Sequence, residues 1–470
     1  MKRFLDYNFN LLEFLGFLFN LIFFAGFIIF YSNYSLLFLA TSLLFWIFYF
    51  YPKIGLLLSI ATLSVFGLSI DFLGFSIPLT KYLSVILGFA FGFRSLVLIC
   101  KKEKKLSDIK LSYIIPFLLF FAVQIYGVLF QAGDIFYFLK FIIFSYFAYI
   151  ALPVNIIQDK NDFIKLLKIY FFSMGIVAFF YLVYFVFNFI LTSEFAFILN
   201  LEDQFIFPVV YLFFGEQTVL SIASGLILYD MAKSSEIKKI ITFFIVCLFI
   251  SNLFVFSRAT LISALFIFAV RYIFTRDNNK IDLSLKNIKK YIKKSLIVFL
   301  VFITLYFSYF KVIETVRFYR NSISSSSEAR ADFISEGIRV FKENPILGYG
   351  PGSNKEVTNS YLIQIRYGGA SDAHSIFQSL LVETGVIGFL IFMYIILSIS
   401  HRLYKNMKNN ESLYDNRIYF NLLVLLFVAF LMQIVSVNYY TDKLIFPIGL
   451  CIIYLEINKK YEKNIGYSLH

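Results

Sequence analysis

The chain alternates between long apolar runs and short polar interruptions, most of them basic. A helix needs roughly 20 apolar residues to cross about 30 Å of hydrocarbon. Runs of that order mark about fourteen candidate spans: 11–31, 35–51, 54–73, 79–100, 112–131, 136–152, 164–191, 211–230, 240–256, 259–275, 294–312, 374–400, 418–438 and 443–457. The pattern predicts an all-α polytopic transmembrane helical bundle of about 12–14 spans, with residues 1–470 forming a single membrane domain. One interruption stands apart by its length. Residues 313–373 are too polar to span and read as a large, partly helical extracytoplasmic loop.

Basic residues orient the helices. With the N-terminus inside, alternate loops are rich in Lys and Arg: Lys101 to Lys105, Lys160 to Lys168, Lys233 to Lys239, Arg271 to Lys294, Arg402 to Arg417 and Lys459 to Lys463. The positive-inside rule then puts both termini in the cytoplasm. The net charge of +13 is thereby topology, and a nucleic-acid partner is not expected. Met1-Lys-Arg precedes polar Asp6 to Asn10 and a full span, a pattern unlike a cleavable signal peptide. The 64 Phe and 33 Tyr read as lipid-facing bulk and an interfacial belt. Cys100, Cys247 and Cys451 lie in or beside spans, so no extracytoplasmic disulfide is expected.

The candidate chemistry gathers in and around the large loop. Arg317, Arg320, Arg330, Arg339, Lys342, Lys355 and Arg366 are matched there by acidic residues, and a long translocated loop tolerates such charge. Arginine on an outward face suits a phosphate-bearing ligand. Ser327 is the expected cap of a helix ending before Asn344-Pro345, with Phe333, Ile334, Ile338 and Phe341 on its apolar face. Arg330 sits at the margin of that face and admits two readings, a surface salt bridge to Glu328 or Asp332, or a ligand contact. Gly348-Tyr-Gly-Pro-Gly-Ser-Asn354 lacks the Lys-Ser/Thr of a P-loop and reads as a tight turn of positive-φ glycines in close backbone contact.

Ser257-Arg258 splits an apolar run at the outer face, as a turn with a snorkelling Arg or as the cation floor of an outward cavity. His374, one of only three histidines, starts a span at the same face with Gln378 one turn on. It is either an interfacial residue or a proton-transfer group. Ionisable residues within spans are few, chiefly Lys140 and Asp230, which argues against an ion-coupled transporter. No HExxH, Cys/His cluster, Asp-x-Asp or Gly-x-Ser-x-Gly is present, so neither a metal nor another cofactor is expected.

In combination and order, three elements resemble the O-antigen ligase/polymerase superfamily of bacterial membrane glycosyltransferases. They are Ser257-Arg258, the Arg330 helix ending in Asn344-Pro-Ile-Leu-Gly-Tyr-Gly-Pro-Gly352, and Ala373-His374-Ser with Leu380, Glu383-Thr-Gly385 and Gly388. The last two are similar to that family's NPLxGxGxG and AHNxxLxxxxETGxxG patterns. Ser375 stands where Asn is common, and Phe333 where the family usually has Trp. The resemblance implies an inverting, metal-independent transferase whose donor is a glycan on undecaprenyl diphosphate, presented at the periplasmic face of the bacterial inner membrane. It implies that Arg258 and Arg330 grip the diphosphate and that His374 acts on the acceptor hydroxyl. Arg317, Arg320, Tyr349 and Gln378 complete the candidate substrate-binding set. Implied partners are the undecaprenyl-diphosphate-linked donor and acceptor, membrane lipid and a chain-length regulator protein. Length, Phe-richness and divergence outside the motifs favour a polymerase over a ligase. A lipid-linked oligosaccharide flippase is the alternative from another class, but it calls for ionisable residues along a central cavity.

Overall fold

The computed structural model describes residues 35–65, 69–72, 75–192, 211–254, 257–274, 326–367, 375–409, 412–434, 439 and 441–467. The chain forms α1 (Ser35–Phe50) and α2 (Pro52–Ala61), then a two-stranded antiparallel hairpin of β1 (Ser69–Phe72) and β2 (Phe75–Pro78). There follow α3 (Leu79–Cys100), α4 (Ile114–Phe130), α5 (Ile135–Ile156), α6 (Lys160–Thr192), α7 (Tyr211–Met231), α8 (Ser235–Phe254) and α9 (Arg258–Phe274). After these come α10 (Ser326–Glu343), α11 (Asn354–Val357), α12 (Tyr361–Tyr367), α13 (Ile376–Asn409), α14 (Leu413–Ile434) and α15 (Asp442–Tyr467). The protein is an all-α polytopic membrane protein. Among the described residues six helices are long and apolar enough to cross a membrane: α3, α5, α6, α8, α13 and α14.

Among the described residues the helices follow the apolar runs, with one departure. The run 54–73 is not one continuous span, because α2 gives way to a 3₁₀ turn at Thr62–Ser64 and Val65 leaves helical geometry before the hairpin. Runs 11–31 and 294–312 lie outside the described residues.

At the centre, α7 has no exposed residue from Phe214 to Leu228 and packs on α6, α8 and α14. A helix buried on every side is a core helix. Several polar groups around it pair with one another. Asn252 Nδ2 donates to Gly215 O (2.9 Å) and Thr218 Oγ1 (2.9 Å), and Tyr170 Oη donates to Gln217 Oε1 (2.5 Å). α5 widens into π-helical geometry over Phe141–Ala151, against which α15 lies close enough that a Cβ on Gly449 would stand 2.0 Å from Tyr149 O.

The Lys/Arg-rich ends are stapled by ion pairs. Arg271 grips Asp230 through two nitrogens at 3.0 and 2.7 Å, and Asn421 Nδ2 donates to the same carboxylate at 2.9 Å. Lys160 pairs with Asp415 (2.8 Å), which also accepts from Tyr454 Oη (2.8 Å). Arg94 Nη1 donates to Tyr49 O (3.0 Å) and Phe50 O (3.1 Å), satisfying carbonyls left open at the C-terminus of α1.

Candidate functional site

The site is organised by a break in α13. Gly385 has φ 62°, ψ −169°, a conformation essentially confined to glycine. Backbone groups around the break therefore lose their helical partners, and residues 345–350 supply replacements. Tyr349 N donates to Val382 O (2.9 Å) and Gly350 N to Glu383 O (2.8 Å), while Val386 N donates to Pro345 O (2.8 Å) and Ile387 N to Ile346 O (3.2 Å). Asn344 Nδ2 closes the turn by donating to Gly348 O at 2.8 Å. On its other side the loop lies against the α4–α5 turn, where Asp134 N donates to Pro351 O (2.8 Å). A Cβ on Gly350 (φ +98°) would stand 2.5 Å from Gly133 Cα. The positive-φ turn expected from the sequence is thus also the wedge that joins the polar segment to the bundle.

α10 packs on α13 by a face other than the one periodicity suggested. Phe333, Gly337 and Val340 are buried, whereas Ile334 and Ile338 are 42% and 51% exposed. The cause is Gly337, whose added Cβ would lie 2.7 Å from Gln378 Nε2. Glycine lets the two helices approach, and the apolar side chains beside it turn outward. Gln378 is buried, and its Nε2 donates to Phe333 O at 3.1 Å. Its Oε1 has no hydrogen-bond partner among the described residues. The helix begins at Ser326, one residue ahead of the expected Ser327 cap, and ends at Glu343.

Tyr349 lies at the loop surface, its hydroxyl donating to Glu343 Oε2 at 3.1 Å. Arg339 binds Glu336 (2.7 Å) and also pairs with Glu343. Burial and then the neighbouring Glu343 push the Tyr349 hydroxyl pKa up, so it remains a donor. Asp332 accepts from Arg366 Nη1 at 2.7 Å.

Arg258 opens α9 and Arg330 lies in the N-terminal part of α10. Ser257 is buried, and its carbonyl accepts from Leu261 N (3.1 Å) and Thr260 Oγ1 (3.1 Å), so Ser-Arg does start a helix. Arg317, Arg320 and His374 lie outside the described residues. Ser375 follows His374 directly and caps α13, its Oγ accepting from Phe377 N at 3.3 Å. Serine and asparagine are equally good caps, so the departure from the usual Asn at this position is chemically mild.

Three buried ionisable groups escaped the sequence reading. Glu383 is 1% exposed, and its Oε2 accepts from Tyr439 Oη (3.0 Å), which in turn accepts from Gln124 Nε2 (2.9 Å). Phe120, Phe141 and Phe392 surround the Tyr439 ring. Glu216 on α7 and Lys443 on α15 form a second buried ion pair. Adjacent Asp442 is hydrogen-bonded to Tyr149 and lies within electrostatic reach of Lys81, Lys140 and Lys443. Charges at such depth are costly and mark working parts of membrane proteins. The signal available in the sequence was a carboxylate inside the Glu-Thr-Gly motif and charges near the start of two apolar helices, α7 and α15.

Fold and site together define a multi-pass helical membrane protein with a glycine wedge locked into a broken helix, beside a polar segment bearing arginines. Residues 243–393, about a third of the chain, match the family model described as O-antigen ligase. Over those residues the chain is similar to the O-antigen ligase family, whose members are membrane glycosyltransferase-type enzymes acting on lipid-linked glycans. No curated protein matches it.

Proposed function

We propose that the protein is a surface-polysaccharide polymerase. It is an inverting, metal-independent transferase that moves a glycan from undecaprenyl diphosphate onto a lipid-linked repeat unit at the periplasmic face of the inner membrane. The observation that carries the reading is the packing of α10, which bears Arg330, onto the first turns of α13, the helix that follows His374. The chemistry is balanced by three side chains. The acceptor oxygen attacks the anomeric carbon, and the bond from that carbon to the diphosphate oxygen breaks with its electron pair. The acceptor proton passes to His374. Arg258 and Arg330 take up the charge developing on the diphosphate, each charge-assisted hydrogen bond contributing about 1.5–3 kcal/mol. A positioned base adds on the order of 10²–10⁴ in rate. The large loop, 313–373, covers the sugar while the polyprenyl chain enters between helices.

A ligase that transfers polymer to lipid A-core is the second reading, favoured by the description of the matching family. The test is polysaccharide profiling in a deletion strain complemented with wild type or His374→Ala. Core bearing a single repeat unit in the variant strain supports the polymerase. Uncapped core with polymer retained on the lipid carrier supports the ligase. Normal profiles in both strains overturn the transferase assignment and move attention to flipping.

A further inference from the structure

At the Lys/Arg-rich end of the bundle, opposite the glycine wedge, α4, α13 and α15 enclose an open groove of about 900 Å³. Its wall is apolar and uncovered among the described residues, with Leu119, Leu390 and Tyr394 54%, 58% and 61% exposed. Its mouth carries Lys110, Arg402 and Lys459 from three separate elements, against the single carboxylate of Glu456. Among the described residues none of these cations is ion-paired.

Two of the three are held in place. The side chain of Asn155 clamps the Lys110 backbone in both directions, accepting from Lys110 N (2.9 Å) and donating to Lys110 O (2.8 Å). Arg402 lies over the Tyr113 ring at 5.0 Å. A second hollow of about 450 Å³ shares Lys110, Glu456 and Lys459 and adds Lys104 beside Asp108, leaving three cations to two carboxylates there.

We infer that this groove is a binding site for an anionic phospholipid of the cytoplasmic leaflet. Its headgroup phosphate would sit between Lys110, Arg402 and Lys459, and an acyl chain would lie along Leu119, Leu390 and Tyr394. Lipid chemistry is selected because the cations stand at one end of a hydrocarbon-facing trough, where a phosphate with a tail satisfies both parts and a soluble anion only one. Basic pockets between transmembrane helices on the cytoplasmic side hold such headgroups in general. The inference is independent of the transfer reaction proposed above.

The test uses the full chain in detergent, titrated with phosphatidylglycerol or phosphatidylcholine of identical acyl chains and read by native mass spectrometry. Wild type is expected to retain phosphatidylglycerol preferentially. Arg402→Gln should lower that preference roughly fivefold, the effect of one cation near a membrane surface. Lys110→Gln with Lys459→Gln should lower it further, and this pair tests the site even if the Arg402 variant fails to fold. Lys238→Gln with Lys239→Gln, at the same end but outside the groove, should leave it unchanged. Equal retention of the two lipids by wild type overturns the site. So does unchanged preference in both groove variants, or an equal loss in the control. Displacement by millimolar inorganic phosphate would show recognition of a free anion and would overturn the lipid assignment.

Discussion

Gly385→Ala is the sharpest single perturbation of the wedge. The backbone at φ 62°, ψ −169° belongs to glycine, and forcing another residue there costs about 1–3 kcal/mol. The new Cβ would also stand 2.3 Å from Ile346 O, a backbone atom that moves only if the loop moves. Four backbone hydrogen bonds across the break depend on that register, each contributing roughly 0.5–1.5 kcal/mol net. Strain with partial loss of those bonds comes to about 3 kcal/mol against docking, or roughly a hundredfold in the docked-to-undocked ratio. Hydrogen exchange at the amides of Tyr349 and Gly350 reads this directly, and both should exchange on the order of a hundredfold faster in the variant. Helices distant from the break should keep their protection. Polymer output in a complemented strain should fall with docking. Gly92→Ala, a helical position with nothing within 4 Å of the added Cβ, is the control and should be neutral or slightly stabilising. Unchanged protection at Tyr349 and Gly350 in Gly385→Ala would refute the claim that a glycine-only break holds the loop.

Two further expectations concern buried polar groups. Tyr439→Phe removes the hydroxyl between Glu383 and Gln124 and should destabilise the protein by about 1–3 kcal/mol for each group left unpaired, measured as a fall in the detergent unfolding midpoint. Lys443→Met strands Glu216 and should cost about 3–5 kcal/mol, whereas adding Glu216→Leu should recover most of that loss. Equal destabilisation by the single and double variants would rule out the ion pair as the cause.

The bundle was legible because a span is a local property. Apolar length and flanking charge are both read within one window, and α3, α5, α6, α8, α13 and α14 lie where the hydrophobic runs put them. Gly348, Gly350 and Gly352 were legible as turn glycines for the same reason. The break at Gly385 was not, because a glycine in an apolar run is compatible with an unbroken helix. What opens it is the backbone of residues 345–350, distant in sequence. The buried face of α10 was misjudged because periodicity counts apolar side chains, whereas contact here goes through Gly337, which has none. Glu216 and Lys443 each look like an isolated helix-end charge until the fold pairs them. Of the candidate site, Tyr349 and Gln378 are located by contacts, while Arg258 and Arg330 are placed on their helices.

The wedge also fixes the polar segment around it mechanically. With residues 345–350 fastened to α13 and Pro351 to the α4–α5 turn, α11 and α12 follow from a fixed post. α10 on the other side joins the post at Asn344-Pro345, packs on α13 and is tied to α12 by the Asp332–Arg366 ion pair. α10 and α12 are therefore coupled across a common fixed post through a surface ion pair. Any rearrangement of these helices leaves the register between the glycine wedge and α13 constant, because four backbone hydrogen bonds hold it.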